Sequence, residues 1–335
     1  FPGQPLRLSA DFFTDLGGHS LLAARLASAL RADARFAHVT VRDIYQNRQI
    51  GRIASTLAQA PVDIPPVNTD WEAPSAWRRW RCGIAQAAVI PALVTLRMGQ
   101  WLAPFFMYHF FTGDPDDSLA LAIAAATAAF LGMTLLEFGL AIAGKWLIAG
   151  RLKPGRYPLW GMTYYRWWLA DRLIEAAPTY LLNGSSLYCW WLRALGARIG
   201  RDVVIGSLTL RAPDLLTVAN GVSIGNAANF ENARVEHGWL LLGAIDVGTD
   251  AAVGSYAILE GNTRIGAQGH LEGQSALSDG VTLPPGRVWR GSPARDVGAF
   301  DTASNLPRPK VSKRRLTLEA FFFLGGALAI TTVFF

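Results

Sequence analysis

The chain has 335 residues, 51% hydrophobic and 17% charged, with a mean hydropathy of +0.23. Soluble globular chains carry about 25% charged residues, so this composition excludes a mostly disordered protein and argues against a purely soluble one. Two cysteines exclude a disulfide framework, and the formal net charge of +6 points to nucleic acid or membrane until the charges are placed.

Residues 1–60 read as a soluble helical unit. Leu22, Leu26 and Leu30, extended by Ala23 and Ala27, have the spacing of an amphipathic helix. Before it stands Asp15-Leu16-Gly17-Gly18-His19-Ser20. The glycines permit a tight turn and Ser20 opens the helix, where the dipole suits a phosphate-bearing group; a plain turn with a serine cap is the alternative. Residues 61–76, with Pro61, Pro65, Pro66 and Pro74, read as a linker.

Residues 84–111 contain Arg97 as their one Lys, Arg, Asp or Glu, and 119–144 contain Glu137 alone. Both runs exceed the about 20 apolar residues that a spanning helix needs. The loop between them holds Asp114, Asp116 and Asp117; Arg78, Arg79 and Arg81 precede the pair, and Lys145, Arg151, Lys153 and Arg156 follow it. A third apolar run opens at Leu316 behind Arg308, Lys310, Lys313, Arg314 and Arg315. The positive-inside rule puts these basic flanks in the cytoplasm. The expected arrangement is a membrane helix pair over 77–150, a basic linker over 301–315 and the start of a third membrane helix over 316–335. Much of the charge is then topogenic, which favours membrane lipid over nucleic acid as a partner. Arg97, Glu137 and Lys145 read as interhelical pairing or snorkelling groups. The chain starts at Phe1 and stops inside an apolar run, so it is expected to be a section of a longer protein.

Residues 151–195 mix Trp160, Tyr164, Tyr165, Trp167, Trp168, Tyr180, Tyr188, Trp190 and Trp191 with arginines. This composition suits one or two helices at the membrane surface, or a collar packed on a soluble domain. Over 196–300, Leu241, Val247, Val253, Leu259, Ile265, Leu271, Leu277 and Leu283 recur every six residues. Ile199 and Ile205 are also six apart, as are Val218, Ile224 and Phe230, with a break expected between Asn232 and Leu240. A six-residue period is the signature of a parallel β-helix of hexapeptide repeats.

Two resemblances sharpen this reading. Asp11-Phe12-Phe13-Thr14-Asp15-Leu16-Gly17-Gly18-His19-Ser20-Leu21 closely resembles the attachment motif of peptidyl carrier domains in non-ribosomal peptide synthetases, and Val41, Asp43, Ile44 and Tyr45 look like that family's third-helix region. The resemblance implies 4′-phosphopantetheine on Ser20, placed by a phosphopantetheinyl transferase. It also implies a carrier lacking its first helix, and an upstream adenylation domain that supplies the ATP chemistry. The repeat is similar to hexapeptide acyltransferases, which take acyl groups from coenzyme A or carrier thioesters and use a loop histidine as general base. That implies His237, at the register break, as base, since imidazole titrates near working pH; His270 is expected to face outward. Glu236 or Glu231 would orient His237. Asn232 would hydrogen-bond the acceptor or a thioester carbonyl, or simply serve the turn. Arg287 and Arg290, in the closing Val288-Trp289-Arg290-Gly291-Ser292-Pro293-Ala294 segment, would meet the pantetheine phosphate, cap the coil or face anionic lipid.

Taken together the parts resemble ε-poly-lysine synthetase and its relatives. This implies a multidomain α+β membrane protein with a helical carrier bundle, transmembrane helices and a left-handed parallel β-helix. It implies amide formation on an amino-acid or polyamine substrate, downstream tandem hexapeptide domains completing a pseudo-trimer, no metal, and a bacterial inner-membrane location with cytoplasmic soluble domains. Two rival readings are a non-catalytic scaffold that docks the carrier and an acyltransferase acting on a cell-surface glycan or lipid.

Overall fold

The computed structural model describes residues 7–31, 33, 36, 39–59, 73–300, 314, 317–322, 325, 326 and 329. Most of the expected linker, the basic stretch over 301–313 and much of the third apolar run lie outside the described residues. The chain divides into two units, Phe1–Trp71 and Glu72–Phe335.

In the first unit, α1 (Ser20–Arg31), α2 (Val41–Asn47) and α3 (Ile50–Gln59) enclose Phe12, Ala23, Ala27, Ile44 and Ile53. The buried stripe of α1 is centred on its alanines, with Leu22 and Leu26 half-buried at its edge. Small side chains there let Phe12 pack close to the helix. Thr40 and Asp43 form a reciprocal cap on α2: the Thr40 hydroxyl accepts from the Asp43 amide at 3.3 Å, and the Asp43 carboxylate accepts from the Thr40 amide at 2.8 Å.

In the second unit, α4 (Ala76–Phe110) is followed by α5 (Leu119–Gly144), which runs on through a π-helical turn, Lys145–Ala149. Both helices are long and apolar enough to cross a membrane. Ile90, Val94, Met98, Trp101, Phe105 and Phe106 lie exposed along α4. Between the helices, Gln100 Nε2 donates to Thr134 Oγ1 at 2.9 Å.

The aromatic segment forms α6 (Met162–Ala176) and α7 (Ser186–Ala194). Its aromatics divide between two environments. Trp167, Tyr188 and Trp191 are buried against protein, whereas Tyr180 and Trp190 are exposed. α7 closes one end of the sheet domain: Tyr188, Cys189, Trp191 and Leu192 join its core. The Tyr188 hydroxyl donates to the Leu208 carbonyl at 2.8 Å, and Arg193 donates to the Ile199 carbonyl at 3.0 Å. Burial pushes the Tyr188 phenol up to about 12.

The sheet domain is a coil with three faces of parallel strands. Each inward side chain stacks on the one a turn away. One ladder runs Ile199, Val218, Val247, Ile265, Leu283. A second runs Ile205, Ile224, Val253, Leu271, Trp289. A third runs Leu210, Phe230, Leu259, Leu277. Turns pack so closely that a Cβ on Gly248 would come within 2.6 Å of the Ala267 nitrogen. The corners also recur every six residues: Asp250, Tyr256, Asn262, Gln268 and Gln274 all have φ between 56° and 59°. Leu241, expected as the first inward repeat, lies instead on a hairpin strand, Trp239–Leu242, where Leu240 and Leu242 are the buried pair. The two-residue alternation of a strand replaces the six-residue count there.

A buried ion pair joins the end of the long helices to this coil. Lys145 Nζ lies 2.6 Å from Asp214 Oδ1, with side chains 1% and 8% exposed. Asp214 Oδ2 also accepts from the Leu152 amide at 3.1 Å, and the ammonium sits 3.3 Å from the centre of the Trp146 ring. Removing one partner strands the other charge without water. Lys145→Met is expected to destabilise the protein by about 3 kcal/mol, and the double variant Lys145→Met/Asp214→Leu to recover most of that loss; chemical denaturation of the detergent-solubilised protein measures both. Tyr256 holds the left-handed conformation that Asn tolerates better, so Tyr256→Asn is expected to gain about 1 kcal/mol by the same measurement.

Candidate functional site

Two places are candidate sites, one in each unit. In the first, Gly17 takes φ +68° and turns the chain into α1. Gly18 packs directly on Phe12, where any side chain would collide with the ring. The Asp11 carboxylate accepts from the Thr14 amide at 3.0 Å and the Phe13 amide at 2.8 Å, and pairs with Arg48 at 2.9 Å. The Thr14 amide first, with Arg48 and Phe13, holds that carboxyl at about 2, well below its usual range. These contacts hold the loop that presents Ser20, which opens the 12-residue α1 with its side chain exposed. An open hydroxyl at a helix N-terminus fits a phosphodiester attachment.

The second place is a hairpin that leaves the coil at the register break. Its strands are Ala233–Glu236 and Trp239–Leu242, joined by His237 (φ +46°) and Gly238 (φ +80°). Positive φ at both positions is the geometry of the tight two-residue turn that suits a twisted hairpin. A third strand, Gly155–Pro158, adds antiparallel to Trp239–Leu242. Between this small sheet and the coil lies a cleft of about 390 Å³, lined by Arg156, Glu231, Arg234, Glu236, His237 and Asp279, among others.

Arg234 organises the cleft. Its guanidinium lies 2.6 Å from Glu260, 2.5 Å from Asp279 and 3.1 Å from Glu236. Burial alone would depress it, but the Glu236, Asp279 and Glu260 charges outweigh burial and hold it above its ordinary value. Glu231 stands directly beside Glu260 across the ladder and accepts from Asn229 Nδ2 at 2.9 Å. Like charges so placed repel, and Arg234 offsets that repulsion. The Arg156 guanidinium lies 5.3 Å from the centre of the Trp239 ring.

The structure brings His237, Glu231 and Glu236 to one cleft, with His237 exposed at the hairpin tip. Glu236 is drawn to Arg234 rather than given over to His237, because positions 234 and 236 share a strand face. Asn232 is 1% exposed and fully engaged. Its Oδ1 accepts from the Ala212 amide at 3.0 Å and its Nδ2 donates to the Ala212 carbonyl at 2.7 Å, so it anchors the base of the hairpin. Arg287 and Arg290 lie in the closing strand, away from the residues that line this cleft. Arg287 makes a two-pronged pair with Asp296, both bonds at 2.8 Å, and Arg290 pairs with Glu272. Both guanidinium groups are thus already faced by carboxylates, which offset the charge they would offer a phosphate. Sequence reasoning missed Arg156, Arg234, Glu260 and Asp279. Glu260 meets Glu231 only across the 29-residue step that contains the hairpin, and Arg156 arrives from a strand outside the repeat.

Residues 1–57 match the family model described as phosphopantetheine attachment site. The whole chain is 45% identical over 339 residues to delta-poly-L-ornithine synthetase of Acinetobacter baumannii (strain AB307-0294). That match covers 100% of this chain and 25% of the relative, so the chain spans about a quarter of the relative's length. Among solved structures, a hexapeptide-repeat acetyltransferase of Vibrio cholerae is 12% identical, over 50% of this chain and 93% of its own, with a TM-score of 0.29. A maltose O-acetyltransferase of Clostridium difficile 630 is 13% identical, over 50% and 89%, with a TM-score of 0.29. The chain resembles, from end to end, one section of a poly-amino-acid synthetase, and its first unit carries the phosphopantetheine attachment motif.

Proposed function

We propose that this chain is the carrier and first hexapeptide domain of a membrane-bound synthetase that joins amino acids, or an amino acid and a polyamine, through amide bonds. The observation that carries this reading is the union in one chain of a phosphopantetheine attachment match with full-length similarity to a poly-ornithine synthetase. In this reading Ser20 holds 4′-phosphopantetheine, attached by a phosphopantetheinyl transferase. The arm supplies a thiol on which the aminoacyl group, activated by an upstream adenylation domain using ATP, arrives as a thioester.

The cleft under the hairpin is the proposed place of transfer. As the acceptor amine forms its C–N bond with the acyl carbon and the C–S bond breaks, His237 takes the proton that the amine gives up and returns it to the leaving sulfur. Arg234 spaces the carboxylates of Glu236, Glu260 and Asp279 around the acceptor's path. Glu236 bears on the imidazole through the field of that cluster, and Asn232 positions His237 by anchoring the hairpin. Arg287 and Arg290 are proposed to guide the arm's phosphate at the last turn of the coil, opposite the end that α7 covers. The coil is the left-handed form of the parallel β-helix, and downstream tandem hexapeptide domains complete it as a pseudo-trimer. α4 and α5 cross the bacterial inner membrane within a multi-pass protein, with Ser20 and the coil on the cytoplasmic side among anionic lipid.

A second reading, a scaffold that docks the carrier without catalysis, draws on the closed Arg234 network and the exposure of His237. The full-length protein separates the two. His237→Ala is expected to lower product formation by about 10²–10⁴-fold while loading of Ser20 continues; unchanged product formation favours the scaffold. Incubation with a phosphopantetheinyl transferase and coenzyme A is expected to add one phosphopantetheine to the intact mass. Ser20→Ala should abolish that gain, and a gain that persists in Ser20→Ala refutes the attachment site.

A further inference from the structure

The helix pair contains a buried acid that the proposed reaction does not use. Glu137 on α5 is 1% exposed, and neither of its carboxyl oxygens has a hydrogen-bond partner among the described residues. Among the described residues no ion pair reaches it. The charged groups on the surrounding elements are committed elsewhere or face outward. Lys145, eight residues on and so about 12 Å along the helix, pairs with Asp214. On α6, Asp171 pairs with Arg172 and Arg211, and Glu175 with Arg172. Arg97 on α4 is exposed.

One titratable group lies in the field of Glu137. Tyr180 stands in the short 3-10 turn Thr179–Leu181, 57% exposed. Its phenol is pushed up by burial and then by the Glu137 charge. Gln100, itself 4% exposed, donates to Thr134, one turn before Glu137 on the same helix.

The Gln100–Thr134 bond shows how a polar side chain that serves packing is satisfied here. Glu137 is not satisfied in that way, and packing alone gives no reason for an acid at this point. A carboxylate between two apolar helices has neither water nor counter-ion, so the neutral acid is the form that fits. Among the described residues no group of three or more His, Cys, Asp or Glu is placed to hold a metal ion, and the tight burial suits the smallest cation. We propose that Glu137 is an exchangeable proton-binding site inside the helix pair. When the site fills, an O–H bond forms on Glu137 and one breaks on a hydronium ion of the surrounding water. When it empties, a bare charge is left between α4 and α5, which favours a looser, wetter packing of the pair. Occupancy and helix packing are thus coupled.

This inference rests on the membrane placement proposed above. The test uses the full-length protein in native membranes, first washed with alkaline carbonate and then treated with dicyclohexylcarbodiimide, an apolar reagent for protonated carboxyls. Peptide mapping should find an adduct on Glu137 that falls as pH rises, is absent with a water-soluble carbodiimide and is lost in Glu137→Gln. Release of the chain by carbonate overturns the membrane placement and the inference with it. Retention with no Glu137 adduct at any pH, with pH-independent labelling, or with equal labelling by the water-soluble reagent overturns the proton site alone.

Discussion

A coil with three faces must return to each face at the same height on every turn, and that single geometric demand governs the sheet domain. The side chains of the three stacked ladders are aliphatic or aromatic because each sits on another of its kind. Corners repeat a left-handed residue every sixth position because each face ends after the same number of residues. Positions 247 and 265 stand 18 apart, and so do 265 and 283. Positions 218 and 247, also neighbours in the ladder, stand 29 apart. The surplus leaves the coil as a hairpin and returns at the point where the stack resumes. Freed from the ladder, that hairpin alone can carry Arg234, Glu236 and His237 into one cleft. A domain built on strict repetition thus gathers its charged cleft where repetition stops.

The cleft and the coil both depend on a clamp at the opposite edge. Lys145 and Asp214 hold the end of α5 against the turn Pro213–Leu215. The same region is tied to the hairpin, because Asn232 bonds Ala212 in both directions. A chain of contacts therefore runs from the long helices through residues 212–214 to the base of the hairpin. Buried pairs of this kind add little net stability over apolar substitutes, but they admit one arrangement only. Geometry, more than energy, is what this pair contributes.

Much of the architecture can be read from local pattern. The six-residue aliphatic period survives in the structure because the inward set is repeated in sequence and in space alike. The Gly17-Gly18-His19-Ser20 turn is legible because its glycines and serine act within a few residues of each other. Leu241 misleads because it satisfies the six-residue count by coincidence, while the hairpin imposes a period of two on Leu240 and Leu242. The aromatic segment misleads in part for a related reason: composition marks an amphipathic surface without saying whether lipid or protein covers it, and the coil end covers Tyr188 and Trp191. Long-range electrostatics left no trace in spacing. Lys145 and Asp214 are 69 residues apart, and Arg234 meets Asp279 across 45. Such pairs follow from the fold and cannot precede it.

α5 carries two ionisable side chains about 12 Å apart, and their fates differ. Lys145 lies where the helix meets the coil, so a carboxylate, a backbone amide and an indole ring all reach it. Glu137 lies deeper, where α4 offers an amide and a run of apolar surface. Desolvation acts on both; only one receives compensation. A long apolar helix tolerates an uncompensated acid when that acid can become neutral, an option that needs only a proton and a path for it. The contrast shows why one residue reads as a clamp and the other as a site. The clamp is fixed by partners already in place, whereas the lone acid changes state when something arrives from outside.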